Sequence, residues 1–140
     1  EKIVTLDNVT RKLTPEDIVI TDGDNPVCIA GVMGGIESGI DENTKNVVIE
    51  SAIFDPLKIR YTSIRLDLKS EASRRYEHGL NYEYTMEAVD RACYLLEKYA
   101  DATVLSDVII YDNVDKKPKV AKVNFATFFM LGLAIVFYFF

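Results

Sequence analysis

The hydrophobic period of this chain switches at Asp55-Pro56, and that switch limits the folds open to it. Before it, apolar and polar residues alternate in short runs between turn residues. After it, apolar residues recur every three or four positions. Period two builds strands and period 3.6 builds helices, so a strand-rich part must precede a helical one. "ATVLSDVIIYD" and "KVAKVNF" then return to β-type sequence. The order predicts an α+β fold: a mixed β-sheet with a cluster of three helices between strand-rich segments.

Within the first part, "KIVTL", "VTRKL" and "DIVITD" read as short strands. Asp7-Asn8 is a hairpin turn, and 22–25 is another turn. Thr14-Pro15-Glu16-Asp17 is a capped single turn with Pro at its first helical position. "PVCIAGV" is almost wholly apolar and predicts a strand buried on both faces, with "NVVIESAIF" as a second. Asp55 then caps a first helix with Pro56 at its first position, and Leu57, Tyr61, Ile64 and Leu68 follow at helical spacing. Residues 70–78 form a second helix stopped by Gly79. The third starts at Asn81 or Tyr82 and runs to Tyr99, with Tyr82, Met86, Val89, Cys93 and Leu96 on one stripe.

Composition narrows the function. A chain of 140 residues suits one domain with a real core. Its net charge of −6 leaves no broad basic field for nucleic acid. Positive charge is nevertheless concentrated: Lys58, Arg60, Arg65, Lys69, Arg74 and Arg75 stand against only Asp67 and Glu71 over 58–75. That run is either a solvated helical surface or a local patch for a polyanion. Cys28 and Cys93 lie far apart and His78 is the only histidine, so the pattern of a structural zinc site is missing and no metal ligand is assigned. Both cysteines read as buried, reduced thiols. The chain has no signal-peptide pattern and begins as if in mid-strand. Residues 125–140 carry no charge and would span only about 24 Å as a helix. This tail reads as a short membrane anchor, a strand pair cut by the chain end, or a coding or cloning artefact. The last fits best, because nothing else prepares for a membrane.

Two details point to a pocket. Gly31, Gly34, Gly35 and Gly39 follow an apolar run, but they lead into an acidic stretch rather than a helix, and no Lys-Ser/Thr follows. A phosphate cradle is thereby excluded. A tight turn and a pocket wall of bare backbone both remain. Glu50 lies in an apolar strand, sharing a face with Val48 and Ala52. A carboxylate there must be paired with an arginine, sit at an edge, or accept a hydrogen bond from a ligand.

"IAGVMGG", "NVVIESAIFDPLKIR" and "SEASRRYEHGL" together closely resemble the editing domain of the bacterial phenylalanyl-tRNA synthetase beta subunit. The resemblance runs over 5–111 and is densest in 30–35, 46–60 and 65–79. It implies that residues 1–124 are a partial editing domain and 125–140 an apolar tail of unknown origin. It also implies hydrolysis of tyrosine wrongly attached to the phenylalanine tRNA. The physical need is plain. A pocket built for phenylalanine rejects an added hydroxyl only about 10²-fold, whereas a site that hydrogen-bonds the hydroxyl rejects phenylalanine by ~10⁴ to 10⁵.

By the same resemblance, Glu50 accepts the tyrosine hydroxyl, Gly34 is the pocket glycine, and Ser70 and Ala72 line the pocket. No catalytic side chain is assigned; a positioned water, helped by the substrate's own groups, does the hydrolysis. From charge, Arg60, Arg65, Lys69, Arg74 and Arg75 face the tRNA. The chain departs from the family at Ser70 (threonine), Asp67 (glycine), His78 (arginine) and Asn81 (aspartate). The family's upstream histidine segment precedes the first residue here, and His78 is not its counterpart. The resemblance further implies a cytoplasmic parent ligase that uses ATP and magnesium, neither held by this chain. Its partners are an alpha subunit and the phenylalanine tRNA, and tyrosine is the editing ligand. The alternative is a tRNA-binding module of the same fold without catalysis.

Overall fold

The structure, a computed structural model, describes residues 1–113, and every helix and strand in it lies within the unit Glu1–Asp107. The strand expected over 119–125, the boundary at 124 and the apolar tail lie outside the described residues.

Strands β1 (Lys2–Val4) and β2 (Thr10–Lys12) form an antiparallel hairpin with Ile3 opposite Arg11. The turn falls where Asp7-Asn8 predicts it. Asn8 takes φ 61°, a left-handed conformation that asparagine tolerates. The Asp7 carboxylate reaches back to Arg11 at 2.8 Å. A second antiparallel sheet has the order β3 (Val19–Thr21), β4 (Pro26–Ile29), β5 (Met33–Gly34). The two sheets are joined where Thr5 bridges Gly35: Leu6 N–H donates to Gly34 O at 3.0 Å and Ile36 N–H to Val4 O at 2.9 Å.

The α+β class is therefore as expected, but both described sheets are antiparallel rather than mixed. The reason is connection length. Each hairpin is closed by a short turn, and parallel pairing needs a crossover of a dozen or more residues.

Three helices follow: α1 (Pro56–Arg65), α2 (Glu71–Tyr76) and α3 (Tyr84–Ala100). Asp55 caps α1 as its sequence predicts, accepting from Leu57 N–H at 2.9 Å and Lys58 N–H at 3.2 Å. Between α1 and α2, Asp67 adopts φ 48°. Glycine suits that conformation best, and aspartate tolerates it.

The core is Ile3, Leu13, Ile29, Val32, Ile59 and Leu68, with Phe54, Leu66 and Tyr76 packed against it. A polar clamp fastens α1 to the first half. The Asp17 side chain, 1% exposed, accepts from Thr14 N–H at 2.7 Å and Thr62 Oγ at 2.7 Å, and it pairs with Arg65.

Two expected strands are corrected. Residues 46–54 and 102–112 form no strand pairing with any described residue, and Val48 is 99% exposed rather than buried. β-propensity favours an extended backbone, but a strand exists only where a neighbouring edge supplies a ladder. The third helix is correct in type. Its stripe stays half-buried or exposed, and none of its residues is buried.

Candidate functional site

The glycine run folds as a hairpin, β4–turn–β5, and its glycines have different reasons to be there. Gly31 takes φ 64°, and a Cβ on it would stand 3.2 Å from Ile59 Cδ1 and Tyr76 Cγ and 3.3 Å from Phe54 Cδ2. Its bare backbone lets an aromatic pair close over the turn. A Cβ at Gly35 would meet Val27 O at 2.8 Å, too near to coexist. At Gly34 a Cβ would lie 3.4 Å from Leu6 Cδ1, an ordinary contact, with no positive φ. The protein's own packing therefore demands glycine at 31 and 35, and not at 34.

Ser70 ties the helix above to this turn. Its hydroxyl donates to Val32 O at 2.6 Å and accepts from Ser73 N–H at 3.0 Å, while Ser73 Oγ accepts from Ser70 N–H at 3.0 Å in return. This is a reciprocal N-terminal cap on α2. The Ser70 proton is committed to the turn. A threonine hydroxyl could make the same bonds. Ala72 follows in the first turn of α2 and is half-buried.

The aromatic pair closes the other side. Phe54 and Tyr76 rings lie 5.4 Å apart at 39°, within the range of favourable ring contacts. Tyr76 Oη donates to Ala52 O at 3.1 Å, and Ser51 Oγ donates to Thr85 O at 2.8 Å. These two bonds anchor the segment that carries Glu50.

Glu50, Cys28 and Tyr76 share one electrostatic environment. Glu50 is partly open to water, yet burial pushes its carboxyl above the ordinary value. Burial, and then the Glu50 charge, push the Cys28 thiol up. Burial, the Glu50 charge and the Cys28 charge do the same to the Tyr76 phenol. Cys28 Sγ itself donates to Met33 O at 3.6 Å. The residue is exposed, and a carboxylate with no cationic partner among the described residues can accept from an incoming hydroxyl or amine.

Gly34, Ser70 and the Glu50 segment thus belong to one neighbourhood built around the 29–35 turn. His78 stands apart, its side chain 81% exposed beside Glu77 at 3.9 Å. Among the described residues no three His, Cys, Asp or Glu side chains converge as a metal site requires.

The basic residues divide. Arg60, Lys69, Arg74 and Arg75 are exposed, and the last two approach Glu71 only at 3.8 and 3.9 Å. Arg65 instead pairs with Asp17 and donates to Lys12 O at 3.2 Å. Its guanidinium thus serves the fold, while its side chain stays 39% exposed. Sequence reasoning assigns no place in the site to Gly31, Cys28, Phe54 or Tyr76. The signal for Gly31 lies in the glycine cluster itself, whereas a tyrosine in a short helix carries none.

The chain matches the B3/4 domain family over residues 1–101. It is 57% identical over 107 residues to a phenylalanine–tRNA ligase beta subunit of Staphylococcus aureus (strain MRSA252), which covers 76% of this chain and 13% of that protein. It is 55% identical over 114 residues to the same subunit of Staphylococcus epidermidis, covering 81% of this chain and 14% of that protein. The chain thus spans about one-seventh of the length of these relatives.

Proposed function

This chain belongs to the B3/4 domain family, and from that premise we propose that its 1–124 region carries the editing pocket of a phenylalanine–tRNA ligase beta subunit, which hydrolyses Tyr-tRNA(Phe). One observation supports this most: Glu50 is a carboxylate with no cationic partner among the described residues, and its charge acts on Cys28 and Tyr76 beside the turn that Gly31, Gly35 and the Ser70 cap hold in place. In this reading Glu50 accepts the tyrosine hydroxyl. Phenylalanine entering the site leaves that carboxylate desolvated and unpaired, so it is rejected. Gly34 is glycine because the ligand, not the protein, needs the space. Ala72 and the Ser70 backbone complete the wall. Hydrolysis is by a positioned water. The substrate tRNA lies along Arg60, Lys69, Arg74 and Arg75, and the parent enzyme pairs with an alpha subunit in the cytoplasm. In this reading the ATP and magnesium of ligation belong to the parent ligase and not to this chain. No described helix is long and apolar enough to cross a membrane.

The test is Glu50→Ala in the beta subunit, with release of tyrosine and phenylalanine from charged tRNA(Phe) measured separately. The preference for tyrosine should fall by ~100-fold or more. Unchanged preference overturns the role of Glu50. The second reading, a tRNA-binding module without catalysis, draws on the four exposed basic side chains. It predicts steeply salt-dependent tRNA retention with no release of tyrosine.

A further inference from the structure

The 46–54 segment has no strand pairing with a described residue, so something other than a sheet must fix Glu50. The Tyr76 hydroxyl holds Ala52 O at 3.1 Å, two residues beyond Glu50. The same ring packs on Phe54 and lies against Gly31, where a Cβ would come within 3.2 Å of it. Tyr76 therefore touches both walls of the site at once, the turn through its ring and the Glu50 segment through its oxygen. Its helix is itself fastened to the turn by the Ser70–Val32 bond.

We propose that Tyr76 is a positioning residue for selectivity: its hydroxyl, by holding the Ala52 carbonyl, sets the place of the Glu50 carboxylate against the glycine turn. A phenylalanine at 76 would keep the ring contacts and lose only this hold. The Ala52 carbonyl would then turn to water, and the segment would settle further from the turn. Tyr76 needs no contact with the ligand in this role. The proposal rests on the reading of Glu50 as acceptor of the tyrosine hydroxyl, but its structural half stands separately.

Two measurements on Tyr76→Phe test it. The first is the titration of the Glu50 carboxyl carbon by NMR in the full chain. Its midpoint should move down toward the ordinary glutamate value as water reaches the carboxyl; an unmoved midpoint overturns the positioning role. The second is tyrosine against phenylalanine release by the beta subunit. The ratio should fall about 5-fold, the scale of one lost hydrogen bond. It should not fall further when Tyr76→Phe is added to Glu50→Ala. An equal slowing of both esters, or an undiminished effect in the Glu50→Ala background, overturns the proposal. If Glu50→Ala leaves the ratio intact while the Tyr76→Phe titration shifts, the positioning stands and it is the editing reading that falls.

Discussion

The turn at 29–35 and the segment at 46–54 are held in opposite ways. The turn is fixed by its own backbone. Val32 N–H donates to Ile29 O at 3.0 Å, Gly35 N–H to Val27 O at 2.8 Å, and Ile29, Ala30 and Val32 are buried. The Glu50 segment has no such ladder to a described residue. Side-chain bonds from Tyr76 and to Thr85 O hold it, and Val48 beside it is open to solvent. One wall is set by the core and the other by a few replaceable contacts. Stability experiments should therefore register the turn, whereas selectivity experiments should register the segment.

The largest effect expected comes from removing the clamp that joins the first half to α1. Asp17→Ala leaves Thr14 N–H, Thr62 and Arg65 without their acceptor. Because Arg65 stays partly in water, the loss should be about 2–3 kcal/mol, below the full cost of a broken buried pair. Urea denaturation measures it, and a loss under ~1 kcal/mol would show that the clamp is dispensable. Gly31→Ala attacks the turn directly. Left-handed backbone and a methyl wedged against Ile59, Phe54 and Tyr76 should together cost about 2 kcal/mol, read in the same denaturation.

The pH dependence should separate the clamps of the first half from the Glu50 segment by sign. Burial pushes the Asp17 carboxyl up, but Arg65, the Thr14 backbone and Thr62 outweigh it and hold it below the ordinary value. Arg11 and Thr5 hold Asp7 low in the same way. A depressed carboxyl contributes stability above its unfolded pKa of about 3.9, and this is lost as pH falls through the folded value. Glu50 runs the other way. Its raised carboxyl favours the folded state below the unfolded value of about 4.3, and that contribution is lost as pH rises through the folded value. Glu50→Gln should then be more stable than the parent chain at pH 7 and lose that advantage below about pH 4, as urea midpoints at the two pH values would show. An advantage that persists in acid would contradict the sign.

The smallest stability effect belongs to Gly34→Ala. With 3.4 Å to Leu6 and no positive φ, it should lie within ~0.5 kcal/mol of the parent. If the pocket reading is right, this nearly silent change should still slow release of tyrosine in the beta subunit. Unimpaired release would remove Gly34 from the site.

Local chemistry is legible in the order of residues. The Asp55-Pro56 start of α1, the Asp7-Asn8 turn and the Ser70 start of α2 follow from side chains reaching their own neighbours. Glu50 is conspicuous because a carboxylate in an apolar run is costly. The strand expected around it does not form with any described residue, because pairing depends on an edge far away in sequence. The acidic residue of the 14–17 turn gives no hint of its partners, 45 and 48 positions further on.

The sequence by itself determined the passage from hairpins to three helices, the α+β class, the caps and turns, and the resemblance carried by three dense blocks. These rest on interactions within a few residues, where spacing and chemistry suffice. Tertiary structure alone decided which glycine the packing requires, that Arg65 pairs with Asp17, and that Tyr76 touches both the turn and the Glu50 segment. Those facts depend on which distant surfaces come within a few ångströms, and no local pattern encodes a distance.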